Sequence, residues 1–461
     1  MQAVILAAGK GTRMRSSRPK VLHEVLGRPL LESALRLTEQ LGCRAITVVV
    51  GHGAREVEES FRGRAAFVRQ DPPLGTGHAL ASARDSFCDP PRGTLLVLGA
   101  DMPLLRLETL EGLLEAHTSS GAALTLLSGR LEDPGAYGRI IRSAQGAVER
   151  IVEARDASAE QIAIREINAG VYAVEVAPLL PALDGLGTDN AQGEYYLTDV
   201  VRHLVESGAP VGAFAAKDPS EILGVNTQAE RALASSVLRR RRALELMEDG
   251  VIIEDPESTW IGVDVRVEAD AIVRPYTFLE GHTIVRTGAQ IGPCARLRDV
   301  EVGPGARVLD HCVLLESRVE AGAQVGPFAH VRPGSRIGPG ARVGNFVELK
   351  KTDLGRGSKA SHLSYLGDAN IGTDVNIGAG TITCNYDGET KHVTRIDDGA
   401  FIGSDSVLVA PVSVGHGAYV GAGSVITRDV EAESLALGRA HQVEKRGWVA
   451  KRRAQRRPAS D

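Results

Sequence analysis

At 461 residues the chain is longer than one hydrophobic core supports, so at least two domains are expected. Its formal net charge of −5 gives no electrostatic footprint for nucleic acid, and no apolar stretch reaches the length of a membrane span. The cysteines (Cys43, Cys88, Cys294, Cys312 and Cys384) are odd in number and form no CxxC pair, which argues against a disulfide framework or structural zinc and for a reducing compartment.

Residues 1–6 run straight into a glycine loop, not through a basic start and a cleavage site, so a cytoplasmic location is the expectation. Over residues 1–226 short apolar runs alternate with helical stretches. Strands are expected at 3–6, 45–50, 94–98, 123–127, 171–174 and 212–215, and helices at 30–41 and 106–118, among others. This alternation predicts an α/β sheet covered on both faces, with its ligand crevice beyond the carboxyl ends of the strands. Residues 227–249 read as one linker helix whose Arg239, Arg240, Arg241 and Arg242 form a solvated face.

Residues 250–461 form the second domain. From Ile261 an aliphatic residue returns at every sixth position: Val267, Val273, Leu279, Val285, Ile291. Two further runs start at Val319 and Ile396, and glycine often follows at once, as at Gly292, Gly326, Gly338, Gly344 and Gly403. Four positions after the aliphatic the side chain is usually small, as at Ala271, Ala289, Ala323 and Ala400. Such a period predicts a solenoid over about residues 251–437, with the aliphatic stacked inside, the small residue at the bend and glycine supplying corner angles. The break at 383–395 carries Asp387-Gly388, a turn signal, and should loop out of the coil. The tail beyond Trp448 is basic and polar and is expected to be disordered.

Two clusters carry chemistry. In the first, the strand at 3–6 enters Ala7-Ala8-Gly9-Lys10-Gly11-Thr12-Arg13, followed by Pro19-Lys20. Small residues let backbone N–H groups approach a phosphate, and Arg13 and Lys20 add positive charge. Asp101 ends an apolar run, where a strand delivers a side chain into the crevice; a helix N-cap before Met102-Pro103 is the lesser alternative. In the second, Lys350, His362 and Tyr365 crowd one stretch of coil that needs none of them for structure. Acyl transfer to an amine does need such groups. The ammonium must lose a proton before it attacks a thioester, and His362 is suited to take it, with Glu348 a candidate to orient the ring. Arg332 and Lys350 suit the oxygens of a sugar phosphate.

The first cluster resembles the signature of the sugar-nucleotide pyrophosphorylases, a nucleotidyltransferase family in which such a loop and a downstream lysine hold a nucleoside triphosphate. Gln70, Leu74-Gly75-Thr76-Gly77-His78-Ala79, Tyr137-Gly138-Arg139-Ile140, Glu153, Asn168-Ala169-Gly170 and Gly224-Val225-Asn226 follow in the family's order. Joined to a hexapeptide coil, the chain is similar to the bifunctional bacterial family that makes UDP-N-acetylglucosamine for cell-wall precursors. That resemblance implies a Rossmann-like nucleotidyltransferase domain followed by a left-handed parallel β-helix, a homotrimer, no nucleic-acid partner and no membrane span. It implies acetyl transfer from acetyl-CoA to glucosamine 1-phosphate, then Mg²⁺-dependent uridylyl transfer from UTP to N-acetylglucosamine 1-phosphate.

Carried over residue by residue, the resemblance gives Asp101 and Asn226 to Mg²⁺. Leu6, Ala7, Ala8, Gly9 and Lys20 then hold UTP, with Arg13 and Lys20 catalytic. Gln70, Gly75 and Thr76 read uracil, and Gly138, Glu153 and Asn168 hold the N-acetylated sugar. Arg332, Lys350, Tyr365 and Asn376 bind the amino sugar phosphate. Ala379, Ser404, Ala422 and Arg439 take acetyl-CoA, with Asn385 and Tyr386 completing the pocket and Lys391 and Lys445 as further phosphate contacts. Pro73 and Gly99 depart from the family's usual side chains at those places, which removes contacts to base or sugar. The competing reading is a one-activity sugar-1-phosphate nucleotidylyltransferase with a structural or regulatory coil, and the cluster around His362 argues against it.

Overall fold

Apolar runs in the first half form strands because their residues are buried on both faces, as helices cover the sheet on each side. The structure, a computed structural model, describes residues 1–87 and 92–456; Cys88 and the tail from residue 457 lie outside the described residues. The chain divides into two units, Met1–Arg241 and Arg242–Asp461. The division falls inside the helix Gln228–Glu248, which the sequence marks as a linker over 227–249.

In the first unit the sheet runs in the order Val211–Ala215, Leu124–Arg130, Glu166–Glu175, Thr94–Gly99, Gln2–Ala7, Ala45–Val50, Ala66–Arg69. All neighbours are parallel except Glu166–Glu175, which is antiparallel to both of its own. The ladder sets Leu6 opposite Gly99, so the loop after one strand and Asp101 after the other emerge side by side. The pairing of Glu166–Glu175 slips between Asn168 and Tyr172, and this bulge turns the backbone through Gly170 at φ +75° beside the crevice. Sequence patterning misses the hairpin Arg139–Arg142 with Val148–Val152, because its polar, arginine-rich strands lack a clean apolar run. The arginine run also departs from a solvated face. Arg241 donates to Leu104 O at 2.7 Å and Asp218 at 2.8 Å, and Arg242 donates to Val265 O at 2.9 Å.

The second unit is a parallel β-helix of three sheets with eleven, ten and nine strands, from Ile252–Ile253 to Leu435–Ala436. Ile261 pairs with Leu279 and Val267 with Val285, so three repeats complete one coil and each aliphatic stacks on its copy. These residues and the corner alanines form one continuous buried core. Cys312 occupies a corner-alanine place, and burial raises its thiol pKa to about 11, which leaves it inert. Many coil glycines take the positive φ expected at corners, but of those that directly follow the aliphatic several serve a different purpose. Gly292 and Gly326 do adopt positive φ, but a Cβ on Gly344 would lie 1.9 Å from the Ser361 carbonyl oxygen of the next coil. Close approach of coil backbones, not turn angle, demands glycine there. The tail also differs from expectation: Trp448–Gln455 is a short exposed helix, with the Arg452 guanidinium 5.1 Å from the centre of the Trp448 ring.

Both tryptophans, Trp260 and Trp448, belong to this unit, so indole fluorescence follows its unfolding alone. Gly344→Ala should lower its stability by about 1–3 kcal/mol, because the crowded atom is backbone. Gly262→Ala, with its nearest atoms at 3.4 Å, should shift the denaturant midpoint far less.

Candidate functional sites

The glycine loop, the ends of the central strands and the bulge enclose a cleft of about 670 Å³ in the first unit. Leu6, Ala7, Ala8, Gly9, Arg13, Lys20, Gln70, Gly75, Thr76, Asp101, Gly138, Glu153, Asn168 and Asn226 all line it, which brings together every candidate of the first cluster. Gly11 sits at φ +62°, and a Cβ there would meet the Lys20 side chain at 2.7 Å, so the loop can close over Lys20 only with glycine.

Lys20 Nζ lies 2.5 Å from Asp101 Oδ2 and 2.7 Å from Asn226 Oδ1, and Arg13 donates to the same Asn226 oxygen at 2.9 Å. Backbone fixes this meeting, since Val225 N donates to Asp101 O at 2.8 Å. Two oxygens bridged by one ammonium lie close enough to share one cation, so the residues fit a hard metal that takes few protein ligands. Among the described residues no group of three His, Cys, Asp or Glu side chains forms a fuller metal cage.

Elsewhere in the cleft, Gln70 donates to Gly75 O at 2.9 Å. Asn168 spends its amide on the Tyr172 hydroxyl at 2.7 Å. Glu153 accepts from the Thr198 hydroxyl at 3.0 Å, and burial raises its pKa, with Asp156 and Asp199 adding to the effect. Two participants receive no role from the sequence. The Tyr137 hydroxyl takes the Gly224 N–H at 2.9 Å and steadies the segment that delivers Asn226. Glu194, Leu197 and Thr198 also line the cleft, and the run Glu194-Tyr195-Tyr196-Leu197-Thr198 was the available signal.

In the second unit the ladder pairs Asn345 with His362. Ala360, Ile377, Ile402 and Val420 follow one another through successive coils, so His362, Ala379, Ser404 and Ala422, each two residues further on, form one corner column. Arg439 reaches the same column beside Gly423. The exposed His362 is oriented by Asn345, not by Glu348: its Nδ1 lies 2.6 Å from Asn345 Oδ1, and among the described residues Nε2 has no hydrogen-bond partner. Glu348 instead accepts from Arg332 at 3.0 Å, because those residues stand on the adjoining sheet.

That sheet carries Arg332, Lys350 and Tyr365 on successive coils. Asn376 does not join them; it pairs with Lys359 and Phe401 on the sheet that leads into the His362 corner. Lys350 donates to Asp368 Oδ2 at 2.7 Å, and this bond raises the lysine's pKa. The neighbouring Lys350 lowers the pKa of Lys391, so a second cation stands near the Lys350–Asp368 pair. Asp368, which sequence reading left without a role, also takes the Asn385 amide, and its carbonyl accepts from Thr394 N at 3.1 Å. It therefore pins both ends of the protruding loop. Tyr386 projects on that loop, with its hydroxyl on Gly388 O, and Lys445 is exposed near the tail helix.

Residues 3–203 match the family model for the MobA-like NTP transferase domain, and residues 316–351 and 394–428 match that for the bacterial transferase hexapeptide (six repeats). The chain is 48% identical to the bifunctional protein GlmU of Trichlorobacter lovleyi, over 98% of each chain. It is 47% identical to those of Pelobacter propionicus, over 97% of each chain, and Heliobacterium modesticaldum, over 98% of each.

The raised pKa of Glu153 has a thermodynamic sign. Folding disfavours its ionised form, so the protein loses stability as pH rises from the ordinary carboxylate range through the raised value. Glu153→Gln should therefore match the parent's thermal midpoint at acid pH and exceed it at neutral pH, as scanning calorimetry of both proteins would reveal.

Proposed function

The chain belongs to the bifunctional GlmU family, and we infer from that membership and from its two sites that it makes UDP-N-acetylglucosamine in two steps. One observation carries the reading: a single chain, related end to end to that family, holds a cation-flanked oxygen pair in one unit and an exposed, oriented imidazole in the other.

In the first step the second unit transfers the acetyl group of acetyl-CoA to the amine of glucosamine 1-phosphate. The Nδ1–H of His362 donates to Asn345, so Nε2 presents its lone pair and removes a proton from the substrate ammonium. The freed amine attacks the thioester carbonyl, the C–S bond breaks, the nitrogen gives its second proton to the departing thiolate, and His362 releases the first to solvent. Arg332, Lys350 and Lys391 meet the sugar phosphate, with Tyr365 beside them. The small side chains of Ala379, Ser404 and Ala422 leave a groove along the corner for the cofactor, with Arg439, Asn385 and Tyr386 at its border. Asn376 belongs to a different face of the coil from Lys350, and a neighbouring copy in a homotrimer would unite the two sets.

In the second step a phosphate oxygen of N-acetylglucosamine 1-phosphate attacks the α-phosphorus of UTP in line and pyrophosphate leaves. No protein nucleophile takes part, so the residues position and neutralise. Asp101 and Asn226 would hold Mg²⁺, which would supply charge neutralisation for the phosphates. Arg13 and Lys20 share that task, the Leu6–Gly9 backbone approaches the phosphates, and Gln70, Gly75 and Thr76 meet the uracil. Gly138, Glu153 and Asn168 border the sugar. The product suits bacterial cell-wall precursor synthesis in the cytoplasm.

Separate sites predict separable losses. Asp101→Ala should remove uridylyl transfer and retain acetyl transfer. His362→Ala should do the reverse, losing acetyl transfer by about 10²- to 10⁴-fold. Parallel assays of pyrophosphate release and free thiol formation on one preparation decide it; a folded variant lacking both activities would contradict the assignment.

A further inference from the structure

Against Gln70, which lines the cleft, lies a histidine to which none of the chemistry above gives a task. Gln70 is 6% exposed, and its Nε2 lies 2.9 Å from Gly75 O and 3.1 Å from His78 Nδ1. A carbonyl oxygen only accepts, so the nitrogen end of the Gln70 amide is the end that faces Gly75. Both amide hydrogens are then committed. His78 Nδ1 must be the nitrogen with the lone pair, and the neutral ring carries its proton on Nε2. Among the described residues Oε1 of Gln70 accepts no hydrogen bond from the protein, and it remains the group available to a base.

We propose that His78 is a positioning residue for nucleotide selection, fixing the Gln70 amide so that its oxygen, not its nitrogen, meets the base. The proposal rests on the uridylyl-transfer reading. Uracil offers an N3–H donor, which an oxygen accepts; cytosine offers a lone pair at N3, which an oxygen repels. A flipped amide would invert that preference, but it would also set Oε1 against the Gly75 carbonyl and oblige His78 to move its proton from Nε2 to Nδ1. Both make the wrong orientation costlier.

Local packing holds both acceptors in place. Gly75 sits at φ +111°, where a Cβ would come within 2.5 Å of Tyr195 O, so only glycine fits there, and Tyr195 N donates to the adjoining Leu74 O at 2.8 Å. His78 occupies the first turn of the helix Thr76–Ser82, with its half-buried ring 6.2 Å from that of Tyr195 between centroids. Gly77 N donates to Tyr195 O at 2.8 Å and ties the helix to the same segment.

The test compares kcat/KM for UTP and CTP, with N-acetylglucosamine 1-phosphate and Mg²⁺, in the parent and in full-length His78→Ala, His78→Leu and His78→Asn. Acetyl transfer by the same preparations checks that each variant is intact. His78→Ala should lower the UTP-to-CTP preference by about threefold to tenfold, the range set by loss of one hydrogen bond. His78→Leu, which fills the space without an acceptor, should do the same even where the smaller variant folds poorly. His78→Asn, whose Oδ1 can replace Nδ1 as acceptor, should keep the parent's preference. Equal losses on both nucleotides, leaving the preference unchanged in His78→Ala and His78→Leu, would overturn the proposal. A parent enzyme unable to use UTP would overturn the reading beneath it.

Discussion

Backbone register in parallel ladders is the constraint on which both sites depend. In the first unit the pairing of Leu6 with Gly99 brings the phosphate-facing loop and Asp101 out at the same level. A shift of one residue would turn the strand's buried side chains to the other face and move Asp101 out of level with the loop. In the second unit the pairing of Asn345 with His362 sets donor against acceptor across coils. The same register repeats the corner as a column, so one polar residue heads a line of small ones. The hydrophobic stacking that maintains this register is spread over the whole core, and no single side chain near either site has to supply it.

Each site also keeps a lysine on one aspartate. Lys20 with Asp101 and Lys350 with Asp368 are nearly buried ammonium groups, each 11% exposed at the side chain. Such pairs contribute little net stability, because desolvation offsets much of the attraction. Their value is placement. A lysine already desolvated and held has less freedom to lose when a phosphate arrives. Further cations, Arg13 in one unit and Lys391 in the other, leave each pair short of negative charge, which is what an anionic substrate supplies.

Much of this organisation was legible in the sequence. The six-residue period announces the coil, since only a solenoid makes every sixth residue equivalent, and the small-residue loop with Arg13 and Lys20 announces a phosphate cleft. Three features were not legible, for physical reasons. Asn345 orients His362 because residues 17 apart become neighbours on adjacent coils, whereas Glu348, nearer in the chain, turns onto another sheet. Asp368 looks like a corner residue until its bonds to Lys350 and Asn385 are seen. The glycine at 344 looks like a turn signal, but the next coil's carbonyl is what requires it.

That one polypeptide joins an acetyl group and a uridylyl group to the same sugar phosphate is the central claim. A double-label experiment tests it most directly: purified protein receives glucosamine 1-phosphate, acetyl-CoA labelled in the acetyl group, UTP labelled at the α-phosphate, and Mg²⁺. The account predicts one nucleotide sugar carrying both labels in equal molar amount. A nucleotide sugar without the acetyl label, or an acetylated sugar phosphate that never acquires the nucleotide, would contradict it.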